Sequence, residues 1–296
     1  MTKIYQIYYD DSQSAFLDPD FIPFNNQGRK YPYNYEYAVF FEIFKKHDWN
    51  MSDYCGALSW KFRAKTGLTG RAFLGQISEN PGYDVYFVNP FPELMVYRSV
   101  WEQGDSFHPF LKEITKLLLS EVGYDSSILE MDTPPKCLAY CNYWVANKKF
   151  WDAYMAFLEP IWSYVRSNNN VLVQALARNA DPLIGAPYLP FIFERLFSTF
   201  LMINSFKVFS VPVSPNVLKK NGLLSFKIFF KDAIDETLSN RSICSNRMRL
   251  RWGFFIRKLF HYYARVYYRM ITAWINGSSI PKSLTLGDIE KIRKNI

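Results

Sequence analysis

The sequence predicts an α/β domain with a mainly parallel sheet and flanking helices, followed by a helical C-terminal extension. Three observations predict it. Short apolar runs that stop at polar or turn residues alternate with amphipathic helical stretches over the first 165 residues or so, the pattern of strand–helix units. From about residue 187 the chain reads as mostly helical. The 296 residues are 21% charged and 49% hydrophobic, the balance of a folded chain with a sizeable core.

The elements follow in order. Ile4 to Tyr9 is an apolar strand ending in Asp10-Asp11, and a turn-rich segment with Pro19, Pro23, Asn25, Asn26, Gly28 and Pro32 comes after it. Tyr35 to Lys46 reads as a helix, with Val39, Phe40, Ile43 and Phe44 spaced to face a core. Asp53 to Trp60 is a second strand running into a polar loop, Lys61 to Gly70. Tyr83 to Val88 is a third, stopped by Asn89-Pro90. A helix near 110–121, a strand near 139–146 and a helix from Lys148 to about Val165 complete the alternation. In such sheets ligands bind beyond the carboxyl ends of strands, which here are residues 10–11, 60–66 and 89.

Several chemistries lack their usual signatures. No glycine-rich phosphate loop, GxGxxG fingerprint or GxSxG elbow occurs. The four cysteines (55, 137, 141, 244) form no CxxC pair, and the three histidines (47, 108, 261) lie in unrelated contexts. A disulfide scaffold, a cysteine-rich zinc site and a multi-histidine metal site are therefore not expected. The start carries no basic-then-apolar export pattern and no run is long enough to span a bilayer, so a cytoplasmic protein is expected.

The net charge of +8 is concentrated. Thr237 to Gly287 holds nine basic residues and no acid, leaving the body near neutral. On a helical wheel Arg247, Arg251, Lys258, Arg265 and Arg269 share one side, and Phe255, Leu259 and Trp274 fall on the other with Ile256, Tyr263, Val266, Tyr267 and Met270. A helix over about 246–275 with a basic face and an aromatic-rich apolar face fits attachment to an anionic membrane surface. The same pattern also suits a helix packed on the body with its charges in water, or a basic nucleic-acid-binding helix. The near-neutral body argues against nucleic acid as a partner.

Three polar clusters stand out. Lys61, Arg63, Lys65 and Thr66 form a cationic stretch after a strand, suited to clamping a diphosphate but equally to a solvated loop. Glu102, Gln103, Gly104 and His108 could hold sugar hydroxyls or be an ordinary loop. Glu194-Arg195, inside the apolar run Phe191 to Phe197, is costly to bury without partners and reads as either a functional pair or a structural salt bridge.

A resemblance joins these pieces. Asp53-Tyr54-Cys55-Gly56 leading into Ser59-Trp60-Lys61-Phe62, Tyr83-Asp84-Val85-Tyr86, and Glu194-Arg195-Leu196-Phe197 together resemble bacterial GT-A-fold glycosyltransferases that build O-antigen, capsule and exopolysaccharide. One such group, some of whose members transfer galactofuranose, shows a D-Y-x-G strand, a basic aromatic turn and a late E-R-L helix. The likeness spans roughly residues 3–213. It implies a Rossmann-like catalytic domain over 1–214, a C-terminal region over 215–296, and transfer from a nucleotide-diphosphate donor, expected to be a UDP-sugar, to a lipid-linked or growing surface polysaccharide. On that footing Tyr8, Tyr9, Asp10 and Asp11 are expected at the nucleotide base and ribose. Lys61, Lys65 and Thr66 are expected at the diphosphate, Asp84 and Asn89 near ribose or diphosphate, and Gln103 and His108 at the donor sugar. Glu194 is the first candidate for the base and Asp132 the second.

One departure is evident. The position where such enzymes carry Asp-x-Asp for a divalent cation (Mg or Mn) reads Asp84-Val85-Tyr86, with a single carboxylate, so leaving-group charge is expected to fall to the lysines. The alternative to an enzyme is a non-catalytic, membrane-peripheral scaffold or glycan-binding protein that kept the fold. The expected location is the cytoplasmic face of the plasma membrane, where a polyprenyl-linked acceptor is confined.

Overall fold

A computed structural model describes residues 1–28, 36–47, 49, 53–91, 94, 97–181, 185–213 and 284–296. The basic stretch over 246–275, with Arg247, Arg251, Phe255, Lys258, Leu259, Arg265, Arg269 and Trp274, lies outside them.

The described residues form a mixed α/β body, as the alternation predicts. Strands β1 (Thr2–Tyr8), β2 (Ile22–Asn25), β3 (Tyr54–Ser59), β4 (Val85–Val88), β5 (Trp144–Asn147) and β8 (Val208–Val211) make one sheet in the order β2-β1-β3-β5-β4-β8. All neighbours run parallel except β5, which is antiparallel to both β3 and β4. The carboxyl ends of β1, β2, β3, β4 and β8 therefore share one edge with the amino end of β5. Two further short strands, β6 (Asn179–Asp181) and β7 (Ala186–Pro187), pair apart from this sheet.

The period-two pattern of each strand divides the core. Cys55 and Ala57, Val85 and Phe87, and Trp144 and Ala146 point to one face. Leu58, Tyr86, Val88, Tyr143 and Val145 point to the other. The first face carries α1 (Glu36–Lys46), α4 (Val100–Phe107), α5 (Leu111–Glu121), α6 (Lys148–Ser167), α7 (Val171–Leu176) and α8 (Tyr188–Ile203). The second carries α2 (Phe62–Thr66) and α3 (Gly70–Glu79). Aromatic rings fill the first layer: Trp144 stacks on Phe197 at 5.4 Å and meets Trp151 at 4.6 Å, and the indole of Trp151 donates to the Cys55 carbonyl at 2.8 Å. Large rings bury much apolar area, and such contacts add to that burial.

Gly56 is required where β3 meets β5. A Cβ there would lie 2.5 Å from the Trp144 carbonyl oxygen and 2.6 Å from Val145 Cγ2.

The structure differs from the expectations at several elements. The stretch after β3, expected as a polar loop, holds α2 and the start of α3. The Glu102–Gln103–Gly104 cluster, open between sugar binding and an ordinary loop, lies within α4. Ile22–Asn25, expected as turn, is an edge strand despite Pro23, a position where a missing N–H is tolerated. The chain's end returns to the body. The terminal helix α9 (Leu286–Asn295) is capped by Thr285 and Asp288 and packs on α5 and α7. Arg178 pairs with Asp288 at 2.8 Å, Arg293 with Glu113, and the Leu284 N–H donates to the Tyr188 hydroxyl at 3.3 Å.

Candidate functional site

A cavity of about 380 Å³ opens at the strand-end edge of the sheet. Four of its five walls are Tyr9 and Gln13 after β1, Glu36 at the start of α1, Ser59, Trp60, Lys61 and Lys65 at and beyond the end of β3, and Cys141 to Tyr143 before β5. The amino-terminal half of α8, with Pro190, Phe191 and Glu194, closes the fifth side.

Local folding explains each contribution. The ladder continues one residue past β3, where the Trp60 N–H donates to the Ile7 carbonyl at 2.9 Å. Phe62 then turns inward, fully buried against Phe21, Phe73 and Tyr143. That anchor leaves Lys61 at the rim, its ammonium 5.0 Å from the Trp60 ring centre. Lys65, one helical turn later, is placed inside the cavity. Cys141 adopts the left-handed backbone region at φ 67°, uncommon for a residue with a Cβ. The three residues 141–143 thereby diverge. Cys141 Sγ accepts from Lys65 Nζ at 3.2 Å, Asn142 Oδ1 accepts from the Tyr37 hydroxyl at 2.6 Å, and the Tyr143 hydroxyl bonds Ser59 Oγ at 3.1 Å.

The electrostatics couple Lys65 to two carboxyl groups that line the same cavity, Glu36 and Glu194. Burial opposes the Lys65 charge, but Cys141, Tyr143 and Glu194 around it outweigh that and push its pKa up. Burial pushes the Glu36 carboxyl above its ordinary range. The Tyr9 hydroxyl and the Lys65 charge moderate that rise, and the Glu194 charge adds to it. Burial likewise raises the Cys141 thiol to about 12 despite Lys65, so it is a neutral thiol at pH 7. Behind the wall, buried Arg195 donates to the carbonyls of Val100 and Phe191, both at 3.0 Å, and to Gln103 Oε1 at 2.6 Å. Its guanidinium stands 3.8 Å from the Glu194 carboxylate.

Of the residues expected from the sequence, the structure brings Tyr9, Lys61, Lys65 and Glu194 together on the cavity wall. Tyr8 is the last residue of β1, with Asp10 and Asp11 just beyond. Asp10 caps the short 3-10 helix Asp11–Phe16 by accepting from the Ser12 N–H, and exposed Asp11 accepts from Gln27. Asn89 sits at the carboxyl end of β4, where its Oδ1 accepts from the Phe91 N–H.

Others are placed elsewhere. Asp84 precedes β4, at the opposite end of the strand, and holds the Lys207 N–H and the Asn147 amide. Thr66 is buried and its hydroxyl bonds only the local backbone, at Phe62 and Leu68. Gln103 is committed to Arg195 inside the core. His108 is buried, stacked on Phe191 at 3.8 Å with Nδ1 facing the Ala180 carbonyl at 3.3 Å, and burial together with Arg195 pulls its pKa down to about 3. Asp132 is exposed between 3-10 segments and is not on the wall. Two commitments explain these departures: a buried polar group is consumed by its nearest partners, and an acid at a strand's amino end cannot reach its carboxyl end.

Glu36, Cys141, Asn142, Tyr143 and Phe191 were not expected at the site. Glu36 reads from sequence as an acid complementing the dipole of a helix start. Only the pairing of β5 with β3 and β4 brings residues 141–143 to the mouth.

The donor set does not fit a divalent cation beside a diphosphate. Among the described residues no three His, Cys, Asp or Glu side chains gather in an arrangement that could hold a metal ion, and the wall carries two carboxyls, Glu36 and Glu194.

No family model and no curated protein matches the chain. Among solved structures the chain is similar to the apo bifunctional glycosyltransferase WbbM. The identity is 14% and the TM-score 0.47, over 71% of this chain and 44% of that one. The chain thus spans less than half the length of that protein. Among the described residues no helix is long and apolar enough to cross a membrane.

Proposed function

We propose that the chain is a glycosyltransferase that moves a sugar from a nucleotide-diphosphate donor to a glycan acceptor. The observation that carries this reading is the cavity at the strand carboxyl ends. It sets aromatic side chains (Tyr9, Trp60, Tyr143, Phe191) beside two carboxyl groups and places a cation, Lys61, at the rim. Aromatic faces and carboxyls suit a sugar ring, and a rim cation suits a diphosphate leaving group.

In this reading the acceptor hydroxyl oxygen attacks the anomeric carbon while the bond from that carbon to the diphosphate oxygen breaks. Glu194 takes the hydroxyl proton, and the departing electron pair rests on the diphosphate, steadied by Lys61. Lys65 lines the same cavity as Glu194. The nucleoside would lie along Tyr8, Tyr9 and Asp11, beyond β1. A UDP-sugar donor, a lipid-linked surface polysaccharide as acceptor and attachment to the cytoplasmic membrane face through residues 246–275 complete the proposal. The basic, acid-free stretch supports the last of these.

Thermal-shift screening of nucleotide sugars tests the class, because a ligand of the native state raises the melting temperature by mass action. Stabilisation by one nucleotide sugar, with release of the free nucleotide in the presence of acceptor, is expected. Stabilisation by none overturns the transferase reading, and binding without turnover favours the non-catalytic alternative.

A further inference from the structure

Lys65 carries a charge that its protein neighbours do not pair. It is partly buried on the cavity wall, whereas Lys61 is exposed. Among the described residues its Nζ donates to Cys141 Sγ alone, at 3.2 Å, and no carboxylate stands at ion-pair distance from it. The ring centres of Phe91 and Tyr143 lie 5.7 Å and 5.9 Å away. The Glu194 carboxylate pairs instead with the Arg195 guanidinium, at 3.8 Å. Burial keeps the Cys141 thiol and the Tyr143 hydroxyl neutral at pH 7, so both offer Lys65 a dipole and no counter-charge. An ammonium that has given up water for such neighbours gains from an anion placed against it.

A neutral donor stands on the same wall. The Tyr37 hydroxyl donates to Asn142 Oδ1 at 2.6 Å, which fixes the amide and leaves its NH2 group without a partner among the described residues. The left-handed backbone of Cys141, at φ 67°, puts the thiol that holds Lys65 and this amide on successive residues. Strain of that kind persists where the surroundings demand it, and binding sites are one such place.

We propose that Lys65 and Asn142 form an oxyanion seat in the inner cavity, taking a phosphate or carboxylate group through one charged and one neutral donor. The seat stands apart from Lys61 at the rim and does not depend on the transferase reading. Joined to that reading, it has two sources of oxyanion: the donor's diphosphate, reaching inward past Lys61, or an acid group on the sugar itself.

The full chain is melted at constant ionic strength with sodium pyrophosphate, UDP, UDP-glucose or UDP-glucuronic acid. At least one of these should raise the wild-type melting temperature by about 3 °C or more. Lys65→Met should lose at least half of that rise. So should Asn142→Asp, which keeps an acceptor for Tyr37 but puts a carboxylate where the free donor was. Without ligand, Lys65→Met should melt within about 2 °C of wild type or above it, because methionine spans similar space and leaves no unpaired charge. A lower value would make Lys65 a structural charge and overturn the proposal. So would no rise with any of the four probes, or a rise of which either variant keeps more than half. Calorimetry of the three nucleotides then separates the sources. Equal loss of affinity for all three in Lys65→Met puts the diphosphate in the seat, and loss confined to UDP-glucuronic acid puts the sugar carboxylate there. Stabilisation by pyrophosphate and by none of the nucleotides keeps the seat and sinks the nucleotide-donor reading.

Discussion

Replacing Gly56 by alanine should destabilise the fold by about 3 kcal/mol. The new methyl would stand 2.5 Å from the Trp144 carbonyl oxygen, where ordinary contact begins near 3.4 Å. That obstacle is backbone and cannot rotate away, so β3 and β5 must part by the better part of an ångström where Gly56 pairs with Val145. Overpacking of this kind costs ~1–3 kcal/mol, and weakening a ladder hydrogen bond adds about 1 kcal/mol. Gly75 provides the control, since it lies inside α3 with nothing within 4 Å of its added Cβ. Gly75→Ala should stabilise by ~0.5–1 kcal/mol through helix propensity. Urea denaturation of the two variants and the wild type measures both. A Gly56→Ala variant within 1 kcal/mol of wild type, or both variants shifting in the same direction, would refute the close-approach reasoning. Because Ser59 to Lys65 and Cys141 to Tyr143 flank this pairing, nucleotide-sugar affinity should fall with stability in Gly56→Ala and not in Gly75→Ala.

Three further outcomes are expected. Burial and Arg195 hold the His108 pKa near 3 in the folded chain against 6.5 when unfolded. The unfolded state therefore binds the extra proton, and stability should fall as pH drops from 6.5 towards 3, by up to roughly 4 kcal/mol. His108→Phe should flatten that part of the pH–stability curve, and an unchanged slope would contradict the assignment. Asp84→Ala should cost about 1–2 kcal/mol of stability by freeing the Lys207 N–H and the Asn147 amide, while calorimetry shows donor affinity unchanged. Cys141, a buried neutral thiol, should resist a water-soluble disulfide reagent at pH 8 in the native chain and react once urea unfolds it; rapid stoichiometric labelling of residue 141 in the native state would contradict its burial.

Much of the body is legible in the sequence because each long element carries its own period. The apolar run at 4–9 gives β1, the 3.6-residue spacing of Val39, Phe40 and Ile43 gives α1, and Lys148 onward gives α6. Two of the four four-residue strands are harder to see. β8 lies in a region that otherwise reads as helix, and Pro23 disguises β2. α4 is hidden because Gly104 interrupts its helical pattern, yet Gly104 is there for packing: a Cβ would meet Arg195 Nε and Leu111 Cδ2, both at 2.6 Å. The site divides in the same way. Tyr9, Lys61 and Lys65 follow strand ends and could be named from chain order alone, and Glu194 stood out as a charge inside an apolar run. Glu36 and Cys141 reach the same cavity only through tertiary pairing across more than a hundred residues, and no local pattern encodes that. Asp84 shows the converse: a motif-like position whose chemistry is spent at the far end of its strand.

The docking of the last helix changes how the intervening basic stretch can be probed. β8 is stitched into the sheet at Val211, and from Leu284 the chain is fastened again to the same body through Tyr188, Arg178 and Glu113. A stop codon placed anywhere between these two moorings would strip α9 from α5 and α7, and lost stability would masquerade as lost membrane affinity. Looping out 214–283 with a flexible bridge, so that both moorings survive, is the excision that isolates what those seventy residues contribute.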